Sequence, residues 1–147
     1  MEPAPPTLTG MAETDPELLD PVRVVCLALP EVEEQAAWIG HRWRIRGRTF
    51  AHVFTVDAGD ETKLMPPGCE ATGGTALSFR ADGEELAALE QAGPPFWRTR
   101  WGRNAVGLVL GPDTDWTEVA ELLTDSYCVM APRRLADRVA GHVGTAD

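Results

Sequence analysis

Arg42, Arg44 and Arg46 alternate with Trp43 and Ile45. On an extended strand alternate side chains share a face, so this spacing sets three guanidinium groups on one side of a sheet and an apolar pair on the other. Arg98, Arg100 and Arg103 make a second basic run about fifty residues later, interleaved with Trp97 and Trp101. A guanidinium suits phosphate because its planar fork donates two hydrogen bonds at once and stays charged. An exposed Trp101 or Trp97 would stack on bases or pack against sugars. Arg42, Arg44, Arg46, Arg98, Arg100, Arg103 and Trp101 are therefore the candidate contacts for a polyanion, DNA foremost. Two other readings use the same residues. Arginine on an open sheet face also serves solubility and discourages edge pairing. Trp38, Trp97 and Trp101 beside the basic strands would also suit a pocket for a small anionic aromatic ligand, or a protein partner.

Catalytic patterns are missing: there is no GxSxG, P-loop, GxGxxG or HExxH, and a non-enzymatic protein is expected. The acidic groups Glu31-Glu33-Glu34 and Asp57-Asp60-Glu61 read as solvated loops in preference to a divalent-cation site. His41 and His52 face one another in one hairpin register, which raises a metal pair, but a histidine on an apolar hairpin face is more often a hydrogen-bonded core residue. Cys26, Cys69 and Cys128 are scattered, with no CxxC, so neither a zinc clamp nor a disulfide framework is expected. No metal and no cofactor is nominated.

The chain has 147 residues, 44% hydrophobic and 24% charged, as a single globular domain would. Its formal net charge of −10 opposes nonspecific attraction to phosphate. The charge is uneven, however: from Trp38 to Leu110 nine Arg or Lys face eight Asp or Glu. No apolar run approaches the ~20 residues of a membrane helix. The start, Met1-Glu2-Pro3-Ala4-Pro5-Pro6, has neither the basic nor the apolar stretch of a signal peptide, so a cytoplasmic location is the default expectation.

The elements that must position these residues follow from periodicity. Residues 1–18 read as a disordered lead-in, 19–140 as one domain and 141–147 as a flexible tail. Asp20-Pro21 predicts a helix start, with Val22, Val25, Cys26 and Leu29 on one face and Pro30 closing it. Arg42 to Val56 reads as a β-hairpin turning near Arg46-Gly47-Arg48. A two-residue loop sets Trp43 and Ile45 on one face with Phe50, His52 and Phe54, and Arg42 and Arg44 on the other with Thr49, Ala51 and Val53; a three-residue loop breaks that parity. Asp57 to Gly74 is a long loop rich in Gly, Pro and acid. Strands are predicted at Ala76–Arg80, Phe96–Trp101 and Ala105–Leu110, with a helix from Asp82 to about Gln91 between the first two. Asp115 opens a last long helix whose stripe is Trp116, Val119, Ala120, Leu123 and Tyr127, and Arg133–Val139 adds a helical turn or two after Ala131-Pro132. The order α-β-β-β-α-β-β-α indicates an α+β domain, an antiparallel sheet with helices on one face and the other face open. Such a chain is expected as a monomer or a homodimer.

From Cys26-Leu27-Ala28-Leu29-Pro30 onward the chain resembles the MmcQ/YjbR family. The resemblance rests on the hairpin Trp43 to Ala51, on Leu77-Ser78-Phe79, on the strand Phe96-Trp97-Arg98-Thr99-Arg100-Trp101, and on the closing run from Asp115-Trp116 through Asp125-Ser126-Tyr127 to Ala131-Pro132-Arg133-Arg134-Leu135. It covers residues 21 to 140. It implies a fold similar to that of the bacterial frataxin homologue CyaY. It also implies DNA binding by a double wing of hairpins, a description of the family drawn mostly from structure. Many relatives carry an Asn-Lys-Arg-His-Trp type of run where this chain has Arg98-Thr99-Arg100-Trp101-Gly102-Arg103-Asn104, keeping the charge and Trp101 but not the Lys-His pair. The Asp57–Gly74 insert, long and acidic, would shield an anion-binding face. Iron chemistry does not follow from the fold.

Overall fold

The computed structural model describes residues 11–12, 14–37, 39–59, 66, 73–99 and 102–145. They form an α+β domain with the elements β1 (Met11–Ala12), α1 (Pro16–Leu27), β2 (Val32–Ala36), β3 (His41–Ile45), β4 (Arg48–Val56), β5 (Gly74–Arg80), α2 (Gly83–Ala92), β6 (Phe96–Arg98), β7 (Ala105–Leu110), α3 (Trp116–Met130) and α4 (Arg133–Thr145). Six strands run antiparallel in the order β2-β3-β4-β5-β7-β6, and β1 pairs with the far end of β4. α3 lies across β4 and β5 with α1 and α4 beside it, and α2 packs on β6.

Local chemistry explains the helix ends. Asp15 caps α1, accepting from the Glu17 amide at 2.9 Å, with Pro16 at the first position. The chain holds two Asp-Pro pairs, and the earlier one starts the helix, so α1 begins ahead of the expected Asp20-Pro21. Leu19 thereby joins the core. Elements thus lie outside the 19–140 limits on both sides, since β1 precedes them and α4 runs on to Thr145. α3 starts where Asp115 indicated, its carboxylate accepting from the Thr117 and Glu118 amides at 3.1 Å. Asp82 makes no such side-chain bond to α2.

Two findings correct the sequence reading. Residues 32–36 form strand β2, not a solvated acidic loop. The charges of Glu33 and Glu34 hid it, because both are satisfied by arginines elsewhere in the chain. The hairpin does turn on two residues, Arg46-Gly47, with Ile45 opposite Arg48. Yet Trp43 pairs with Ala51 and Arg44 with Thr49, which leaves Phe50 as an extra residue, a β-bulge that reverses the facing beyond it. His52 and Phe54 therefore lie on the face of Arg42, while Ala51 and Val53 lie with Trp43. Ser126 of α3 holds the bulge. Its hydroxyl donates to the Phe50 carbonyl at 2.6 Å and accepts from the Arg80 amide at 2.7 Å.

The sheet consequently carries apolar groups on both sides. Toward the helices, Trp43, Ile45, Val53, Leu77, Phe79, Val106 and Leu108 pack on Val22 and Cys26 of α1, Leu123 and Tyr127 of α3 and Leu135 of α4. Phe50 meets Tyr127 edge-on with ring centroids 5.5 Å apart, and the Tyr127 hydroxyl donates to the Pro30 carbonyl at 2.8 Å. On the opposite side a smaller cluster joins Ile39, Phe54, Val56 and Ala76, with Trp97 and Val109 against it.

One pair at the helix layer makes stability depend on pH. Glu85 of α2 hydrogen-bonds Asp125 of α3 with Asp82 alongside, and burial first, then this bond, raise its pKa from 4.5 to about 7. The folded state holds that proton more tightly than the unfolded chain. The contribution is complete below pH 4.5 and is lost as pH rises toward 7. Glu85→Gln is expected to lift the melting temperature relative to wild type progressively between those values. Parallel melting curves for the two proteins across that window would contradict it.

Candidate functional site

Register separates the nominated arginines. Arg42 lies opposite His52, His52 opposite Ser78, Ser78 opposite Gly107, and Gly107 opposite Trp97, so these five positions share the face turned away from the helices. Arg44 shares it through Thr49, and Arg80 follows two residues after Ser78. Trp43, Ala51, Phe79, Val106 and Arg98 line up on the helix side. Arg98 and Arg42 thus occupy opposite faces, and no single sheet surface presents both of these arginines.

β2 explains what holds most of these charges. Arg42 donates to the Gln35 amide oxygen at 3.0 and 2.8 Å, and Arg44 lies 4.0 Å from Glu33 and donates to the Gly47 carbonyl at 3.0 Å. These are cross-strand pairs of β2 with β3. On the helix side Glu34 accepts from Arg23 at 2.9 to 3.2 Å and from the Trp43 indole at 3.0 Å, and the Arg23 bond in particular holds its carboxyl below the usual range. Arg98 pairs with Glu90 of α2 and donates to the Arg103 carbonyl. The Arg103 side chain is exposed. Arg100, Trp101, Trp38, Cys69 and the Asp60-Glu61 pair lie outside the described residues. His41 faces Val53 and not His52, so the proposed histidine pair does not form. Among the described residues no cluster of His, Cys, Asp and Glu is placed to hold a metal ion.

Arg46 leaves the strand altogether. With φ of 52°, and Gly47 at 81°, it meets the positive-φ requirement of a tight hairpin turn, and its side chain drops out of the β3 alternation. It bonds Glu31 at 2.7 Å, at the end of the molecule where α3 gives way to α4. Arg134 and Arg138 of α4 act on the same Glu31 carboxylate, which all three hold below its ordinary pKa, Arg46 most strongly. Arg46 and Arg48 line one hollow with Met130 and Pro132, and Arg133, its side chain 94% exposed, is 3.8 Å from Asp137. Five arginines from the hairpin turn and α4 therefore converge on one end. The carboxylates pairing with them among the described residues are Glu31 and Asp137.

The open face carries a different arrangement. A cavity of about 290 Å3 is bounded by Ile39, Arg42, Thr49, His52, Ser78 and Arg80, among others. Arg80 donates to the Asn104 amide oxygen at 3.2 Å, and burial lowers its pKa from the ordinary guanidinium value. Neither Arg42 nor Arg80 has a carboxylate partner among the described residues. His52 Nε2 is 2.5 Å from the Ile39 carbonyl, and burial above all, with Arg42 and His41 nearby, lowers its pKa and favours the neutral ring. Sequence reasoning passed over Arg80, although its two-residue offset from Ser78 places it on the Ser78 face. It also passed over Arg48, Arg134 and Arg138. The four-residue spacing of Arg134 and Arg138 on a helix was the signal there.

A family model described as YjbR matches residues 27–129, well over half of the chain. The chain belongs to the YjbR family. The crystal structure of the Deinococcus radiodurans protein DR2400, a DUF419 domain, is similar to this YjbR protein with a TM-score of 0.56 at 20% identity, over 83% of this chain and 87% of that one. At that identity the likeness concerns the fold alone. No curated protein matches the chain. No described helix of this YjbR protein is long and apolar enough to cross a membrane.

Proposed function

We propose that this YjbR protein is non-enzymatic and binds DNA by phosphate contacts from its basic end, through Arg46, Arg48, Arg133, Arg134 and Arg138. The observation that supports this reading is the convergence of five arginines from two distant segments, in a chain with a net charge of −10. Arg46, Arg48, Arg133, Arg134 and Arg138 are all exposed, so they meet phosphate at little desolvation cost. The acidic remainder of the surface orients the approach by repelling a polyanion elsewhere. A hairpin turn as the contact also agrees with the wing role that the family resemblance implies. Arg42 and Arg44 face the open side of the sheet and Arg98 pairs with Glu90 of α2, so the proposed contact set does not include them.

The test is fluorescence anisotropy of labelled duplex DNA with wild type and an Arg48→Gln/Arg134→Gln/Arg138→Gln variant. Each phosphate contact contributes roughly 0.9 to the slope of log affinity against log salt, so the variant should bind more weakly with a slope shallower by about 2 to 3. An Arg42→Gln/Arg44→Gln variant should match wild type. Unchanged affinity and slope in the triple variant would refute the assignment.

A further inference from the structure

We propose that the open-face cavity is a binding site for a phosphate monoester of a small organic molecule, held by Arg42 and Arg80. The inference is independent of the DNA reading, because it uses the other side of the sheet and none of the five arginines at the hairpin end.

Charge identifies the ligand class. Arg42 and Arg80 border one cavity, and the bonds each makes to described residues go to neutral acceptors: the Gln35 amide oxygen for Arg42, the Asn104 amide oxygen for Arg80. A half-buried guanidinium bordering a hollow, with no carboxylate beside it among the described residues, is an unfavourable arrangement that a bound anion relieves. Two such groups match the charge of a phosphate monoester, roughly −1.5 to −2 near neutrality. A backbone phosphodiester or a carboxylate carries a single charge and leaves one guanidinium uncompensated. Ser78 and Thr49 add hydroxyl donors on the same face.

Size and lining add the organic part. The cavity of about 290 Å3 is at the small end of ligand sites, which run from roughly 300 Å3 upward, and is far roomier than one phosphate needs. Ala37 and Ile39 form its apolar wall. Ile39 also belongs to the cluster of Phe54, Val56 and Ala76 against which Trp97 packs. A neutral His52, its Nε2 at the Ile39 carbonyl, fixes that wall against β4 without adding a third positive charge.

The experiment uses the full chain with phenyl phosphate, inorganic phosphate and benzoate, read by isothermal titration calorimetry and by thermal shift. Phenyl phosphate should bind most tightly, inorganic phosphate more weakly through the same groups, and benzoate weakest. Because a hydrogen bond to a charged group is worth about 1.5–3 kcal/mol, Arg42→Gln and Arg80→Gln should each weaken phenyl phosphate roughly 10- to 100-fold. Arg80→Gln should not lower the melting temperature of the free protein, since it removes an uncompensated charge, and it should abolish the thermal shift given by phenyl phosphate. Glu121→Gln, exposed on α3, serves as the control and should bind as wild type does. Absence of heat and of thermal shift with millimolar phenyl phosphate would overturn the proposal, as would equal binding by the Arg42→Gln/Arg80→Gln double variant. Benzoate binding as tightly as phenyl phosphate would overturn the monoester assignment. Duplex DNA that competes fully with phenyl phosphate would show a backbone phosphate as the source, and would also overturn it.

Discussion

Trp43→Ala is expected to cost about 3–5 kcal/mol, the range for truncating a large buried aromatic. Trp43 is fully buried between the sheet and the helices, opposite Glu34 on β2 and Ala51 on β4. The greater part of the loss comes from the cavity and the apolar surface returned to water. The smaller part is the indole bond to Glu34 at 3.0 Å, and Glu34 keeps its Arg23 partner when that bond is gone. Trp43→Phe separates the two effects: it keeps most of the packing and should cost nearer 1–2 kcal/mol. Urea denaturation measures both, as a lowered midpoint with an unchanged slope. A loss below about 1 kcal/mol for the alanine variant would mean that β3 does not bury this ring.

Gly40→Ala is the second large effect, expected at about 2–5 kcal/mol from backbone strain and overpacking together. Gly40 has φ of 74°, and a Cβ there would sit 1.9 Å from the Val53 carbonyl oxygen and 2.9 Å from the Phe54 Cα. Those are backbone atoms of the paired strand, so no side-chain rotation relieves the clash. Either β3 or β4 must shift. Gly40 follows Ile39, whose carbonyl meets His52, and its own carbonyl accepts from the Ala37 amide at 3.0 Å. The substitution therefore disturbs the wall of the open-face cavity as well as the sheet. A fall in melting temperature of roughly 10 °C is expected for a domain of this size. A melting temperature equal to that of wild type would show that the strands do not approach this closely.

What the sequence discloses and what it conceals divide along the range of the interactions. The start of α3 was legible because Asp115 and the Trp116-Val119-Leu123-Tyr127 stripe are local signals, and β7 because Ala105–Leu110 is apolar throughout. The facing of β4 was not. It turns on the Phe50 bulge, which is tied down by Ser126 from 76 residues further along the chain. β2 was hidden for a related reason. Glu33 and Glu34 read as solvated acid until Arg44 and Arg23 are found beside them. The same pairs change the meaning of the arginine stripe, since alternation places side chains on a face but says nothing of their partners. The nominated arginines were therefore legible as basic strands, while their partners were not. Arg46 joins Arg134 and Arg138 only because the hairpin turn packs beside the α3–α4 junction, a tertiary contact without a local signature.

The most direct test of the DNA-binding account is a titration of the labelled wild-type protein with a short DNA duplex, followed by backbone amide NMR shifts at low and moderate salt. The account predicts salt-sensitive shifts confined to Arg46–Arg48 and to residues 130–138, with β3, β4 and β5 beyond the turn unmoved. Shifts confined to the open face around Arg42, His52 and Arg80, or no shifts at low salt, would contradict it.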